Sequence, residues 1–134
     1  MLTPLRYDSG KITTVKSGTA LNTTIVKYDA LDWSSGYLTP ATSGTTEVRF
    51  IAMEDIVTGA VTHLDIQVLC VDGVEFECDC TDATAVTQRG TYVDLTDHDT
   101  LNNGASSTDV FYVTEMIGAT TDKKVRGYFV HNIS

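Results

Sequence analysis

Three cysteines, a run of acids around one histidine, and a cluster of aromatics are the residues with chemical potential in this chain. Cys78 and Cys80 form a C-x-C pair, with Cys70 eight residues upstream. Zinc needs thiolates converging with a fourth ligand, and such sites usually carry C-x-x-C spacing. Strand alternation instead puts all three thiols on one apolar face beside Ile66, Val68 and Phe76, where Cys packs as a small hydrophobe. The acidic run Asp94-Leu95-Thr96-Asp97-His98-Asp99, followed by Asn102 and Asn103, invites calcium. Its spacing misses the EF-hand pattern, and Asp and Asn also gather in turns, so a solvated loop is expected.

His63, His98 and His131 are far apart in sequence, and His63 falls on the polar face of its strand with Asp65 and Gln67. A surface histidine is the expectation there. No Gly-x-Ser-x-Gly, His-Glu-x-x-His, phosphate-loop or dinucleotide-glycine pattern is present. No catalytic residue, metal or cofactor is therefore expected, and the protein is not expected to be an enzyme. Tyr28, Trp33 and Tyr37 surround Ser34-Ser35-Gly36. Exposed, they would stack on a sugar or anchor a protein; closing one end of a β core is the expected role. Lys123-Lys124-Val125-Arg126 concentrates three bases in four residues, and reads as a solvated strand end.

The elements that must position these residues follow from composition. The chain has 134 residues, 18 acids against 9 bases, and a net charge of −9. Such a body repels phosphate, so nucleic-acid partners are not expected. Abundant Thr and an excess of Asp over Glu disfavour helix. The longest apolar stretches fall far short of the ~20 residues of a membrane helix, and no signal peptide is visible at Met1–Asp8. Synthesis in a cytoplasm with reduced thiols is the corresponding expectation.

Short β-like runs alternate with turn signals: Ile12–Lys16, Thr24–Tyr28, Tyr37–Thr39, Thr46–Met53, Val61–Val71, Val74–Cys80, Thr91–Leu95, Val110–Ile117 and Lys124–His131. That spacing predicts an all-β fold, a single compact sandwich or barrel-like domain over residues 11–134. Gly127, inside a run, predicts a bulge or a close backbone approach. Residues 83–89, between Asp82 and Gly90, are the one helix candidate. Residues 1–10 carry Leu2, Leu5 and Tyr7 around Pro4 without a helical or strand period. They read as an extended N-terminal arm, either frayed or ordering on a neighbouring subunit.

Around Val71-Asp72-Gly73, a three-residue hairpin loop would pair Cys70 with Val74, Val68 with Phe76, Ile66 with Cys78 and Leu64 with Cys80. One face is then wholly apolar, with Glu75, Glu77 and Asp79 opposite Leu69, Gln67 and Asp65 on the other.

Val15-Lys16-Ser17-Gly18-Thr19-Ala20-Leu21 followed by Ile25-Val26-Lys27-Tyr28-Asp29 resembles the opening of tailed-phage capsid decoration (cement) proteins. Gly36–Thr42 and Phe50–Ile56 continue the likeness, and Gly90–Leu95, Val110–Ile117 and Lys124–Val130 are similar to that family's closing strands. The resemblance covers roughly residues 15–130. It implies a non-enzymatic bacteriophage virion protein on the outer capsid surface, binding the major capsid protein and stabilising the mature shell. It also implies a homo-oligomer, a trimer by preference, with an arm whose Leu2, Leu5, Arg6 and Tyr7 touch the partner. The acid-histidine loop and the cysteines are not explained by it. Alternative expectations are a head-fibre base, a tail component, or a carbohydrate- or calcium-binding β module.

Overall fold

The computed structural model describes residues 1–130. Its strands are β1 (Leu2–Pro4), β2 (Ile12–Val15), β3 (Thr24–Ile25), β4 (Leu31–Ser34), β5 (Tyr37–Pro40), β6 (Phe50–Ala52) and β7 (Ile56–Val57). They continue with β8 (Ile66–Cys70), β9 (Phe76–Asp79), β10 (Tyr92–Leu95), β11 (Leu101–Asn102), β12 (Phe111–Ile117) and β13 (Lys124–Phe129). The fold is all-β and compact, as the turn spacing predicts. Expected runs that proved shorter lost their ends to loops. The last run reaches Phe129, and its expected end at His131 lies outside the described residues.

A six-stranded antiparallel sheet runs β1-β9-β13-β12-β10-β11, and a three-stranded sheet runs β2-β8-β6. Two ribbons, β3-β7 and β4-β5, complete the body. The large sheet curls: a parallel bridge joins Cys80, just past β9, to Leu101 of β11. The main core fills the inside of that curl with Phe76, Phe111, Phe129, Val93, Val113 and Val125, and takes Ile51 and Leu69 from the smaller sheet. Ile66, Val68 and Ala52 lie in a second cluster with Ile25, Leu31 and Leu38.

This two-sided use of β8 overturns the expected hairpin. β8 pairs with β2 and β6, while β9 pairs with β1 and β13, so the two strands never meet in one sheet. Leu69, which the hairpin would have left beside acids, is fully buried. Burying both Leu69 and Val68 requires an apolar partner on each face of β8. The chain meets that need by crossing between sheets at Asp72-Gly73. The reversal itself is as expected, with Gly73 at φ +72° and the Val74 N–H donating to the Val71 carbonyl at 3.1 Å. Asp65 and Asp79, opposed in the expected register, are instead held by Lys16 and Lys124.

Gly127 meets both of its expectations. The register slips between Val113 and Glu115, leaving Thr114 as the extra residue of a bulge opposite Gly127 and Arg126. A Cβ on Gly127 would overlap the Tyr112 carbonyl oxygen and sit 2.7 Å from Phe111 Cε1. The bulge also resets the alternation, so that Glu115, not Thr114, shares the outer face with Arg126.

Two further expectations are corrected. Residues 83–89 form no α-helix; Val86–Gln88 is a single 3₁₀ turn. Thr84 is instead tied by its N–H to the Thr120 carbonyl, and the Asn103 side chain holds the carbonyls of Asp82 and Ala83. The N-terminal segment is not a free arm throughout: Leu2, Thr3 and Pro4 pair with Cys78, Glu77 and Phe76. Leu2 is fully buried, because an apolar residue alternating with Thr3 completes the inner face of the sheet. Pro4 is tolerated there because β1 is an edge strand.

Candidate functional site

Of the four expected contact residues, Leu2 belongs to the core, while Leu5, Arg6 and Tyr7 are exposed on the segment leaving β1. The Leu5 N–H donates to the Glu75 carbonyl at 2.9 Å, so the strand is pinned up to Leu5. Beyond it the chain turns into a 3₁₀ turn at Ser9–Lys11, capped by the Asp8 carboxylate accepting from the Gly10 N–H at 3.1 Å. Lys11 Nζ donates to the Asp72 carbonyl, clamping this turn onto the sheet crossover. Leu5 and Arg6 border a cleft of about 520 Å³ with Glu75, Arg126 and Tyr128. Arg6 and Tyr7 also border an adjoining cleft of about 390 Å³ with Asp8, Lys11 and Val74.

This cleft opens onto the outer face of the six-stranded sheet, where cross-strand registers set side chains in rows. Glu77 stands opposite Arg126, Arg126 opposite Glu115, and Arg89 Nη1 lies 3.7 Å from Glu115 Oε1. One row over, Tyr92 opposes Tyr112 with ring centres 5.0 Å apart, and Tyr112 opposes Tyr128. Tyr128 Oη donates to Glu75 Oε2 at 3.4 Å. On the third row Lys124 Nζ sits 3.4 Å from Asp79 Oδ1, beside Ile117. Acids and bases on this face nearly balance, in a chain of net charge −9.

The other sequence-derived candidates separate. Cys78 and Cys80 are buried in the main core as expected, but Cys70 is half-buried at the end of β8, with its thiol 3.8 Å from Asp72 Oδ2. Burial pushes the Cys78 thiol far up and the Cys80 thiol to about 12. No group of three or more His, Cys, Asp or Glu side chains is placed to hold a metal ion among the described residues.

The acidic run is not a solvated loop at both ends. Asp94 is buried and accepts the backbone N–H groups of Ser107, Thr108 and Asp109 at 2.8–2.9 Å. Burial alone would raise its carboxyl, but those three donors hold it below the ordinary value. His98 Nδ1 lies 2.7 Å from Oδ1 of the buried Asp29, whose Oδ2 accepts from the Val26 N–H at 2.9 Å. His63 is not a free surface residue: it stacks on Tyr37 at 3.7 Å and its Nδ1 lies 2.6 Å from the Thr19 carbonyl.

Ser35 and Gly36, at φ +51° and +87°, make the two-residue turn between β4 and β5. The register then sends Trp33 to the face of Leu38 and Tyr37 to the opposite face. Trp33 is half exposed and meets Phe50 edge-on rather than closing the core, while Tyr37 joins His63, so no joint aromatic platform forms. Sequence reasoning missed the tyrosine row and the Asp29–His98 pair. Tyr92, Tyr112 and Tyr128 lie on separate strands, and only the register aligns them. Among the described residues, no helix is long and apolar enough to cross a membrane. The chain matches no protein-family model, no curated protein and no solved structure in the comparisons made.

Proposed function

We propose that this is a non-enzymatic virion structural protein that binds the outer surface of a phage capsid and stabilises the mature shell by bridging capsid subunits. The sequence resemblance supplies the reading. The observation that carries it is the segment Leu5–Tyr7, which leaves a strand anchored in the core with an apolar, a cationic and an aromatic side chain exposed beside open clefts. An anchored base lowers the ordering cost on docking, because only the few residues beyond it must be immobilised. Leu, Arg and Tyr together supply the apolar and planar contacts that dominate protein interfaces. The partner in this reading is the major capsid protein, and a homo-oligomer engages several of its subunits at once. Each contact then raises the effective concentration of the next.

The test is co-sedimentation with purified shells before and after expansion. Binding to expanded shells, weakened by Leu5→Ala and Tyr7→Ala, supports the role; full binding by the double variant overturns the assignment of the segment, and no binding to either shell overturns the function. Deletion of residues 1–10 is the wrong probe, since it removes Leu2 and β1 from the fold itself.

A further inference from the structure

The outer face of the six-stranded sheet carries a charge order that the capsid reading does not use, although Glu75, Arg126 and Tyr128 of this face also line the cleft beside Leu5 and Arg6. Across β9, β13 and β12 to the loop before β10, one row reads Glu77, Arg126, Glu115, Arg89, alternating in sign. Glu77 and Arg126 face each other in register, yet neither side chain has an ion-pair or hydrogen-bond partner among the described residues. Beside this row stand the half-exposed tyrosines 112 and 128 and the exposed Tyr92. We infer that this face pairs with the same face of a second copy of the chain about a two-fold axis.

The argument is one of charge order. A two-fold axis lying between two stacked sheets, parallel to their strands, reverses the strand order of the partner. An alternating row of even length, read backwards, is its own complement: Glu77 lies over Arg89 of the partner subunit, and Arg126 over Glu115 of the partner subunit. The same axis sets Tyr128 over Tyr112 of the partner subunit and brings Tyr92 to Glu75 of the partner subunit, a phenol donor to a carboxylate. The sheet curls away on this face, so the central pair, Arg126 over Glu115 of the partner subunit, comes closest, near the roughly 10 Å of stacked sheets that facing Arg and Glu side chains span together. A three-fold axis does not lay a sheet face on itself and leaves the order unmatched. The rest of this acidic surface repels a second copy, whereas here the signs nearly cancel.

Sedimentation equilibrium over a concentration series tests this without any shell present, so its outcome is separate from that of the capsid reading. A dimer is expected for the unaltered chain. Arg126→Glu puts carboxylate over carboxylate and is expected to raise the dissociation constant about tenfold or more. Adding Glu115→Arg restores opposite signs at every position and is expected to restore the dimer. Glu77→Arg, and its rescue by Arg89→Glu, repeat the test at the row's ends if the first pair of variants fails to fold. Lys16→Glu, an equal charge change at the exposed residue that follows β2, outside the six-stranded sheet, is expected to leave the mass unchanged. A monomer or trimer at all concentrations, a dimer indifferent to the single reversals, or double reversals no better than single ones would overturn the inference.

Discussion

Gly127 lies directly beneath the backbone of Tyr112, with no room for a methyl group between them. That contact lets Phe76, Phe111 and Phe129 meet edge-to-face at 5.0 and 5.1 Å over the glycine's side of the sheet. Gly127→Ala must push β12 away from β13 or twist the bulge at Thr114. We expect a loss of about 1–3 kcal/mol, read as a lower melting temperature and urea midpoint. An unchanged midpoint would contradict the close approach.

Leu2 offers the sharpest test of where the amino terminus sits. It is fully buried in the main core, opposite Cys78. Leu2→Ala is expected to cost about 2–5 kcal/mol, whereas Leu5→Ala, at an exposed position, should change stability by less than about 0.5 kcal/mol. Equal, small effects from both, measured by urea denaturation, would return residues 1–4 to a free arm.

Asp29 and His98 tie together two loops 69 residues apart. Asp29→Ala strands the Val26 N–H as well as the imidazole, so it should cost more than His98→Ala, which removes one of the two contacts. Losses of about 1–3 kcal/mol for the first and about 1 kcal/mol for the second are expected. A double-mutant cycle reads the coupling directly; additive losses would mean the pair contributes nothing jointly.

Acid stability follows from Asp94. Its folded-state carboxyl lies below the ordinary 3.8 because three backbone donors outweigh burial. The unfolded chain therefore binds a proton that the folded chain does not, and stability rises with pH across that window. The contribution is complete above 3.8 and is lost as pH falls through the folded value. Asp79, drawn down by the terminal ammonium and Lys124 against its own burial, has the same sign. Asp94→Asn should lower stability at neutral pH by on the order of 2 kcal/mol and flatten the acid limb of the stability profile. An unaltered acid limb in urea titrations at stepped pH would refute the assignment.

Thiol reactivity should separate the cysteines. Cys78 and Cys80 are buried with raised pKa values, so few thiolates form and few reagent molecules reach them. Cys70 is only half-buried. Alkylation at pH 8 followed by peptide mapping is expected to label Cys70 first, and all three only in denaturant. Rapid native labelling of Cys78 would place it outside the core.

The sequence made the fold class legible because alternation and glycine turns are local signals, and Gly127 announced itself by interrupting an apolar run. The β8–β9 relation was illegible for a physical reason. A hairpin and a crossover between sheets share the same turn residues, and only the burial of Leu69 separates them. Leu69 did carry the hint, as the one large apolar residue on the supposed acidic face. β4 leaves no strand signal because Asp32 and Ser34 dilute its apolar residues, and β1 leaves none because three residues are too few for a period. Nothing local distinguishes Asp94 from its acidic neighbours, because the donors that hold it arrive from 107–109, beyond any local pattern. The tyrosine row depends on register and is invisible strand by strand.

The pairing of Leu2–Pro4 with Phe76–Cys78 has a kinetic corollary. The first strand finds its place only after a segment more than seventy residues downstream has formed, and that segment in turn needs Lys124–Gly127 on its other side. Closure of so wide a loop is entropically slow. Refolding should therefore end with a late step in which the head of the chain zips onto an almost finished sheet, leaving Leu2 among the last apolar residues to leave water.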